Sequence, residues 1–341
     1  MGVKGLTSLL KQKGFPSDDD IHIIPQGSTL AFDGNGLVFE LFRRAYLRHF
    51  YTLAREYKAR LPQTRQGEAE HAFIAKLFPS VLPLHYLAEE TQSYLRRLTE
   101  VFGMKVSVYF DGSMHRYLTL EEEEVESEAE EEAEEEEEKE EEESIPPQLH
   151  VKYHTQSERL NKRREEQMNL QQYCQFGILV QSASKISDKD HLLVLDSGIR
   201  ISAEMMLNSF PVPELLLAQV KISVSELDGI KVVQCQEEAD RDVAMACILD
   251  STGRTYAVAL DSDFMIFGKP PNPARSSSHC GEVKYVPFSS LNISGSVLSG
   301  FVIRREELAS TLGLPDDAAV VELSILMGND YTKHIVETGQ R

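Results

Sequence analysis

Residues 230–267 constrain the fold of this chain more than any other stretch. Ile230-Lys231-Val232-Val233 is a short, apolar, β-branched run, and so is Tyr256-Ala257-Val258-Ala259-Leu260. Each reads as a buried strand. Between them, Val243 to Leu249 has helical character and stops near Gly253. The economical reading is strand, helix, strand, a unit that forms parallel sheets with a right-handed crossover. Acids follow both strands: Glu237, Glu238, Asp240 and Asp242 after the first, Asp261 and Asp263 after the second. In open parallel sheets, ligands bind outside the carboxyl ends of the strands, and both groups of acids fall there.

The same pattern occurs twice earlier. Ser28 to Phe32 reads as a strand ending in Asp33-Gly34, and Lys105 to Phe110 as one ending in Asp111-Gly112. A helix is expected from about Leu37 to Tyr57, carrying Arg43, Arg44 and Arg48, the last two one turn apart. A long helical pattern from 72 to 102 is interrupted near Pro79 and Pro83. Later come a short strand at 283–287, a helix over 305–312, and another over 316–327 leading into Gly328-Asn329-Asp330. Alternating strands and helices predict an α/β domain with a central, mostly parallel sheet and helices on both faces.

Taken singly, each acid has an ordinary explanation. Asp-Gly after a strand is usually a turn, and acids in a first helical turn suit the macrodipole. Together, Asp33, Asp111, Glu238, Asp240, Asp261, Asp263 and Asp330 would converge on one sheet edge. At low dielectric such charges repel by several kcal/mol each, and hard cations would relieve that. Oxygen-only ligands suit Mg²⁺ or Mn²⁺. Two such ions, roughly 3.5–4 Å apart, can activate water and stabilise the leaving oxygen of a phosphodiester.

The formal net charge of −20 looks hostile to a polyanion. It is local, however: residues 121–143 hold eighteen Glu and one Lys, and the rest of the chain carries a formal charge of −3. Such a run repels itself and stays solvated, so 119–148 is expected to be disordered. The charge then inverts, with Arg159, Lys162, Arg163 and Arg164 on a helix expected over 157–172. That helix is either a phosphate-binding face or a solvated one laced by Glu158, Glu165 and Glu166. Four cysteines without a CxxC pair predict buried thiols in a reducing compartment. No apolar stretch is long enough to span a bilayer, so no membrane partner is expected.

The motifs, in order, resemble the flap-endonuclease/XPG nuclease superfamily, which has PIN-like (5′-nuclease) folds. Met1-Gly2-Val3-Lys4-Gly5-Leu6 is similar to its MG[IV]xGL start. Phe32-Asp33-Gly34 and Phe110-Asp111-Gly112 resemble its two N-region aspartate motifs. Glu238-Ala239-Asp240 resembles E-A-E with Asp for the second Glu, Asp261-Ser262-Asp263 matches D-x-D, and Met327 to Tyr331 is similar to [LM]-G-x-D-Y. EADRD, DSDF-x-IF and GND look most like the Asteroid branch.

The resemblance implies four regions: an N-terminal nuclease region (1–118), the acidic insertion (119–148), a helical arch or connector (149–227) and an internal nuclease region (228–341). It implies Asp33, Asp111, Glu238, Asp240, Asp261, Asp263 and Asp330 as catalytic ligands of two Mg²⁺ ions, with Mn²⁺ as the substitute. Asp242, one turn after Glu238, would support them from behind or be an exposed helix acid. Gly2, Lys4, Arg43, Arg44, Arg48, Arg159, Lys162, Arg163 and Arg164 would hold the nucleic acid, since Lys and Arg pair with phosphate without reading sequence.

The expectation is a structure-selective endonuclease acting on DNA with single-stranded flaps or arms, in the nucleus or else the cytoplasm. The Glu run would meet an unnamed protein partner. The alternatives are a non-catalytic scaffold or RNA-regulatory protein keeping the fold, or a 5′ exonuclease or RNase. The pattern departs from the family at the inserted Glu run. It also departs after Asp330, where the Gly-rich helical hairpin of duplex-binding relatives would stand and Ile335–Arg341 holds only Gly339.

Overall fold

The structure, a computed structural model, describes residues 5–17, 20–60, 73, 84–112, 192–194, 200–202, 215–268 and 281–327. These fall into two compact units. The first draws on residues up to 39, on 92–112 and on 224–327; the second draws on 40–91 and residues up to 223. The expected helix over 157–172, the Glu run and Asp330 lie outside the described residues, as do Gly2 and Lys4.

The first unit is built on a parallel sheet. Its strands are β2 (Thr29–Asp33), β3 (Lys105–Phe110), β6 (Ile230–Gln234), β7 (Thr255–Ala259) and β8 (Tyr285–Pro287). The order is β6-β3-β2-β7-β8, with every neighbouring pair parallel. A two-stranded antiparallel pair joins β1 (Ile21–Ile23) to β9 (Ser299–Phe301). Sequence patterning did not reveal this pair: all three β1 residues are exposed, so they carry no inward–outward alternation. A second antiparallel pair joins β4 (Leu192–Val194) to β5 (Arg200–Ser202).

The central strands are apolar because both of their faces are covered. All five residues of β7 are buried, and so are Leu30, Ala31 and Phe32 of β2. One face receives the helix Ala239–Leu249, which lays Ala239, Val243, Ala244, Cys247 and Ile248 against Ala31, Ala257 and Ala259. Small residues on the strands let the helix approach closely. On this geometry the first unit is an α/β fold around a central parallel sheet.

The helices start earlier than their apolar periodicity suggests. The first runs over Gly34–Arg60, directly from β2, and the crossover helix begins at Ala239 rather than Val243. In both, a carboxylate supplies the starting signal, as described below. The helix Arg305–Leu312 matches its expected span and stops at Gly313, whose φ of 71° is left-handed. No atom lies within 4 Å of a Cβ placed there. Gly313→Ala therefore meets only the backbone cost, and should lower stability by about 1 kcal/mol in urea unfolding.

In the second unit, Phe50 and Tyr57 pack on Phe73, and His49 packs on Tyr86. Glu40 is buried there and accepts hydrogen bonds from Arg43 and Arg44. No helix among the described residues is long and apolar enough to cross a membrane. Cys235 and Cys247 are free, buried thiols.

Candidate functional site

Strand register sets which acids meet. Asp33 stands opposite Tyr109, and Phe32 opposite Val258, so Asp111 and Asp261 each project a little beyond the end of β2. Phe110 stands opposite Gln234, which carries Glu238 and Asp240 past the same edge. In chain order the strands run outward from β2 through β3 to β6, then restart at β7 on its other side. The switch point of the sheet therefore lies between β2 and β7, where doubly wound sheets open a crevice. Asp33 and Asp261 flank it.

Hydrogen bonds fix three of the acids. Asp33 accepts the backbone N–H of Asn35 on Oδ1 (3.0 Å) and of Gly36 on Oδ2 (2.9 Å). This is how a capping residue satisfies the open N–H groups of a first turn. Gly36 is needed for the approach: a Cβ there would lie 2.6 Å from Asp33 Oδ2. Asp111 does the same for another helix, accepting the Ala239 N–H on Oδ1 at 2.7 Å. Glu238, the residue preceding that helix, makes no side-chain cap of its own. Asp111 Oδ2 accepts a hydrogen bond from Asn35 Nδ2 at 2.5 Å. Asp261 accepts the Asp263 N–H at 3.1 Å and so caps the short turn Ser262–Met265, in which Asp263 is buried.

Electrostatics tie the group together. Burial pushes the Asp33 carboxyl up to about 6 against the pull of its Gly36 and Asn35 hydrogen bonds, with Asp111 and Asp261 adding repulsion. Asp240 rises to about 8, first through burial, then through repulsion from Asp33, Asp261, Asp111 and Glu238. Five of the seven acids expected as ligands thus share one electrostatic neighbourhood. Among the described residues, however, no three His, Cys, Asp or Glu side chains are placed to hold a metal ion.

Asp242 acts on two neighbouring groups. It lies close enough to the Cys235 thiol that burial, and then Asp242, push that thiol up to about 12. It also acts on Tyr109. Two residues at the site were missed by sequence reasoning. Asn35 stands between two glycines after Asp33, and its spacing two residues after that acid is the available signal. Tyr285 is buried at β8, donates to the Ala259 carbonyl at 3.4 Å, and has its phenol pKa raised by burial and by Asp261 and Asp33. No local pattern marks it.

The described basic candidates all have carboxylate partners. Arg43 and Arg44 pair with Glu40 at 3.0 and 2.7 Å. Arg48 pairs with Glu89 at 2.7 Å and lies over the Tyr86 ring. Arg159, Lys162, Arg163 and Arg164 lie outside the described residues.

No protein-family model matches the chain, and no curated protein does. Among solved structures it is similar to the catalytic core of Rad2 in complex with DNA substrate, in three complexes. Two of these show 13% and 12% identity with TM-scores of 0.38 and 0.40. The third shows 12% identity and a TM-score of 0.37. Each comparison covers 99% of this chain but only 65–66% of the Rad2 chain, so this chain spans just under two thirds of the Rad2 chains' length.

Proposed function

We propose that this chain is a divalent-cation-dependent, structure-selective endonuclease of the flap-endonuclease/XPG type, nearest the Asteroid branch in its motifs. It hydrolyses phosphodiester bonds in DNA with single-stranded flaps or arms, a substrate that implies the nucleus. The single observation supporting this reading is the electrostatic coupling of Asp240 to Asp33, Asp261, Asp111 and Glu238 at the carboxyl edge of a parallel sheet. Four carboxylates held against a fifth, with Asp240 pushed up to about 8, form an arrangement that repels itself unless a cation enters.

The donor chemistry fits Mg²⁺ or Mn²⁺, because every coupled group is a carboxylate and none is His or Cys. Asp33, Asp111, Glu238, Asp240 and Asp261 would hold the ions, joined by Asp263 and Asp330. An ionised carboxylate has about four lone-pair sites on its two oxygens, so the capping bonds on Asp33 and Asp111 leave room for a cation. Bound there, two ions would supply a nucleophilic hydroxide and neutralise charge on the leaving oxygen. The chain's own contribution is to fix the acids. Asp33 and Asp111 are locked to helix starts, and Asp261 to its turn.

A scaffold that keeps the fold is the second reading, favoured by the full use of Asp33 and Asp111 as helix caps. One assay separates the two. Labelled flap, splayed-arm and single-stranded DNA and RNA are incubated with the purified protein in Mg²⁺ or chelator, beside Asp261→Ala. We expect cleavage of flap or arm DNA only with the cation, reduced more than about a hundredfold in the variant. Absence of cleavage with cation bound would leave the scaffold standing, and equal cleavage by the variant would point to a contaminant.

A further inference from the structure

Asn35 makes two different bonds to two different acids. Its backbone N–H reaches Asp33 Oδ1 at 3.0 Å, and its side-chain amide reaches Asp111 Oδ2 at 2.5 Å. Asp33 ends β2, and Asp111 follows β3, 76 residues after Asn35. The other Asp111 oxygen is taken by the Ala239 N–H. Asp111 is thus held from both sides, by the helix that follows β2 and by the helix that follows β6.

We infer that Asn35 is a positioning residue: its amide sets the separation and orientation of the Asp33 and Asp111 carboxylates in readiness for a divalent cation. The inference rests on the cation reading given above. The chemistry of the amide explains why this residue type serves. An Asn NH₂ donates without carrying charge, so it can hold one carboxylate beside another without adding to their repulsion. A Lys in its place would neutralise Asp111 and compete with the ion. An Asp would add a further charge to an edge already crowded with them. The backbone around Asn35 leaves little freedom: a Cβ on Gly34 would lie 2.5 Å from the Tyr109 carbonyl oxygen, and one on Gly36 would lie 2.6 Å from Asp33 Oδ2. The amide is therefore delivered to Asp111 from a fixed frame. Groups that orient metal-binding carboxylates typically change affinity 10–100-fold when removed.

The obvious competing role is local. Asn35 lies in the first turn of the helix Gly34–Arg60, where a negative side chain is favoured by the helix dipole. Asn35→Asp distinguishes the two roles by sign. If the residue serves only the helix, Asn35→Asp raises the melting temperature of the cation-free protein. If it bridges to Asp111, the new carboxylate faces Asp111 and lowers it.

The test uses the full chain at pH 8 without substrate. Mn²⁺ binding is measured by calorimetry, and melting temperature in chelator, for wild type, Asn35→Ala and Asn35→Asp. We expect Asn35→Ala to bind Mn²⁺ about tenfold more weakly, and Asn35→Asp to melt below wild type. Wild-type Mn²⁺ affinity in Asn35→Ala, or a raised melting temperature in Asn35→Asp, would overturn the inference. If the wild type itself takes up no Mn²⁺, the cation reading fails and takes with it the readiness for an ion. The melting comparison still decides whether the bridge to Asp111 exists.

Discussion

Asp240→Asn should stabilise the cation-free protein at pH 8 by several kcal/mol and flatten its dependence on pH. The folded protein holds a proton on Asp240 up to about pH 8, whereas the unfolded chain releases it near 3.8. Asp33 behaves likewise up to about pH 6. Between these limits the native state binds more protons than the unfolded state, so stability falls as pH rises. The loss begins near pH 4, steepens with both groups contributing, and continues through pH 8 on Asp240 alone. A shift of this size corresponds to about 6 kcal/mol at most, a large share of the 5–15 kcal/mol that is typical of whole domains. Asn cannot ionise, so it removes the cost. A cation would offset the same cost in the wild type. Urea unfolding at pH 5, 6, 7 and 8, in chelator and in Mn²⁺, measures all of this. We expect a falling series for wild type in chelator and a flatter one in Mn²⁺. Asp240→Asn should fall only up to about pH 6, on Asp33, and stay flat from there to pH 8, with little response to Mn²⁺. Parallel slopes for the two proteins in chelator would show that Asp240 is not the strained acid.

Gly112→Ala should cost about 3 kcal/mol, at the upper end for overpacking a close-fitted site. The expectation does not come from backbone conformation. A Cβ at Gly112 would lie 2.1 Å from the Gln236 carbonyl oxygen and 2.9 Å from that of Cys235. These are backbone atoms with no rotamer through which to escape. The two strand ends are also bonded to each other: the Gly112 N–H donates to the Glu237 carbonyl at 2.7 Å, and the Cys235 N–H donates to that of Phe110 at 2.9 Å. Pushing them apart moves Asp111 away from the Ala239 N–H. The variant should therefore lose Mn²⁺ affinity as well as stability. A cost no larger than that of Gly313→Ala, with unchanged Mn²⁺ binding, would mean that the strand ends do not approach this closely.

Much of the site was legible in the sequence because its elements announce themselves locally. KVSVYF and TYAVA are short, β-rich and apolar, as strands buried on both faces must be, and each is followed within two residues by an acid. Helix starts were less legible. Periodicity locates the buried face of Gly34–Arg60 and Ala239–Leu249 but not their first turns, which depend on Asp33 and Asp111 as acceptors. Asp111 lies 128 residues before the amide it caps, a separation at which no local pattern operates.

By itself, then, the sequence determined the parallel α/β class and the placing of an acid after each of four strands, since apolar runs and their polar ends are properties of neighbouring residues. Only the tertiary structure decided the strand order, with β2 between β3 and β7, and hence which acids repel one another. It also decided that Asn35 joins Asp33 to Asp111. Those relations depend on register between strands far apart in the chain, and register follows from the packing of whole faces.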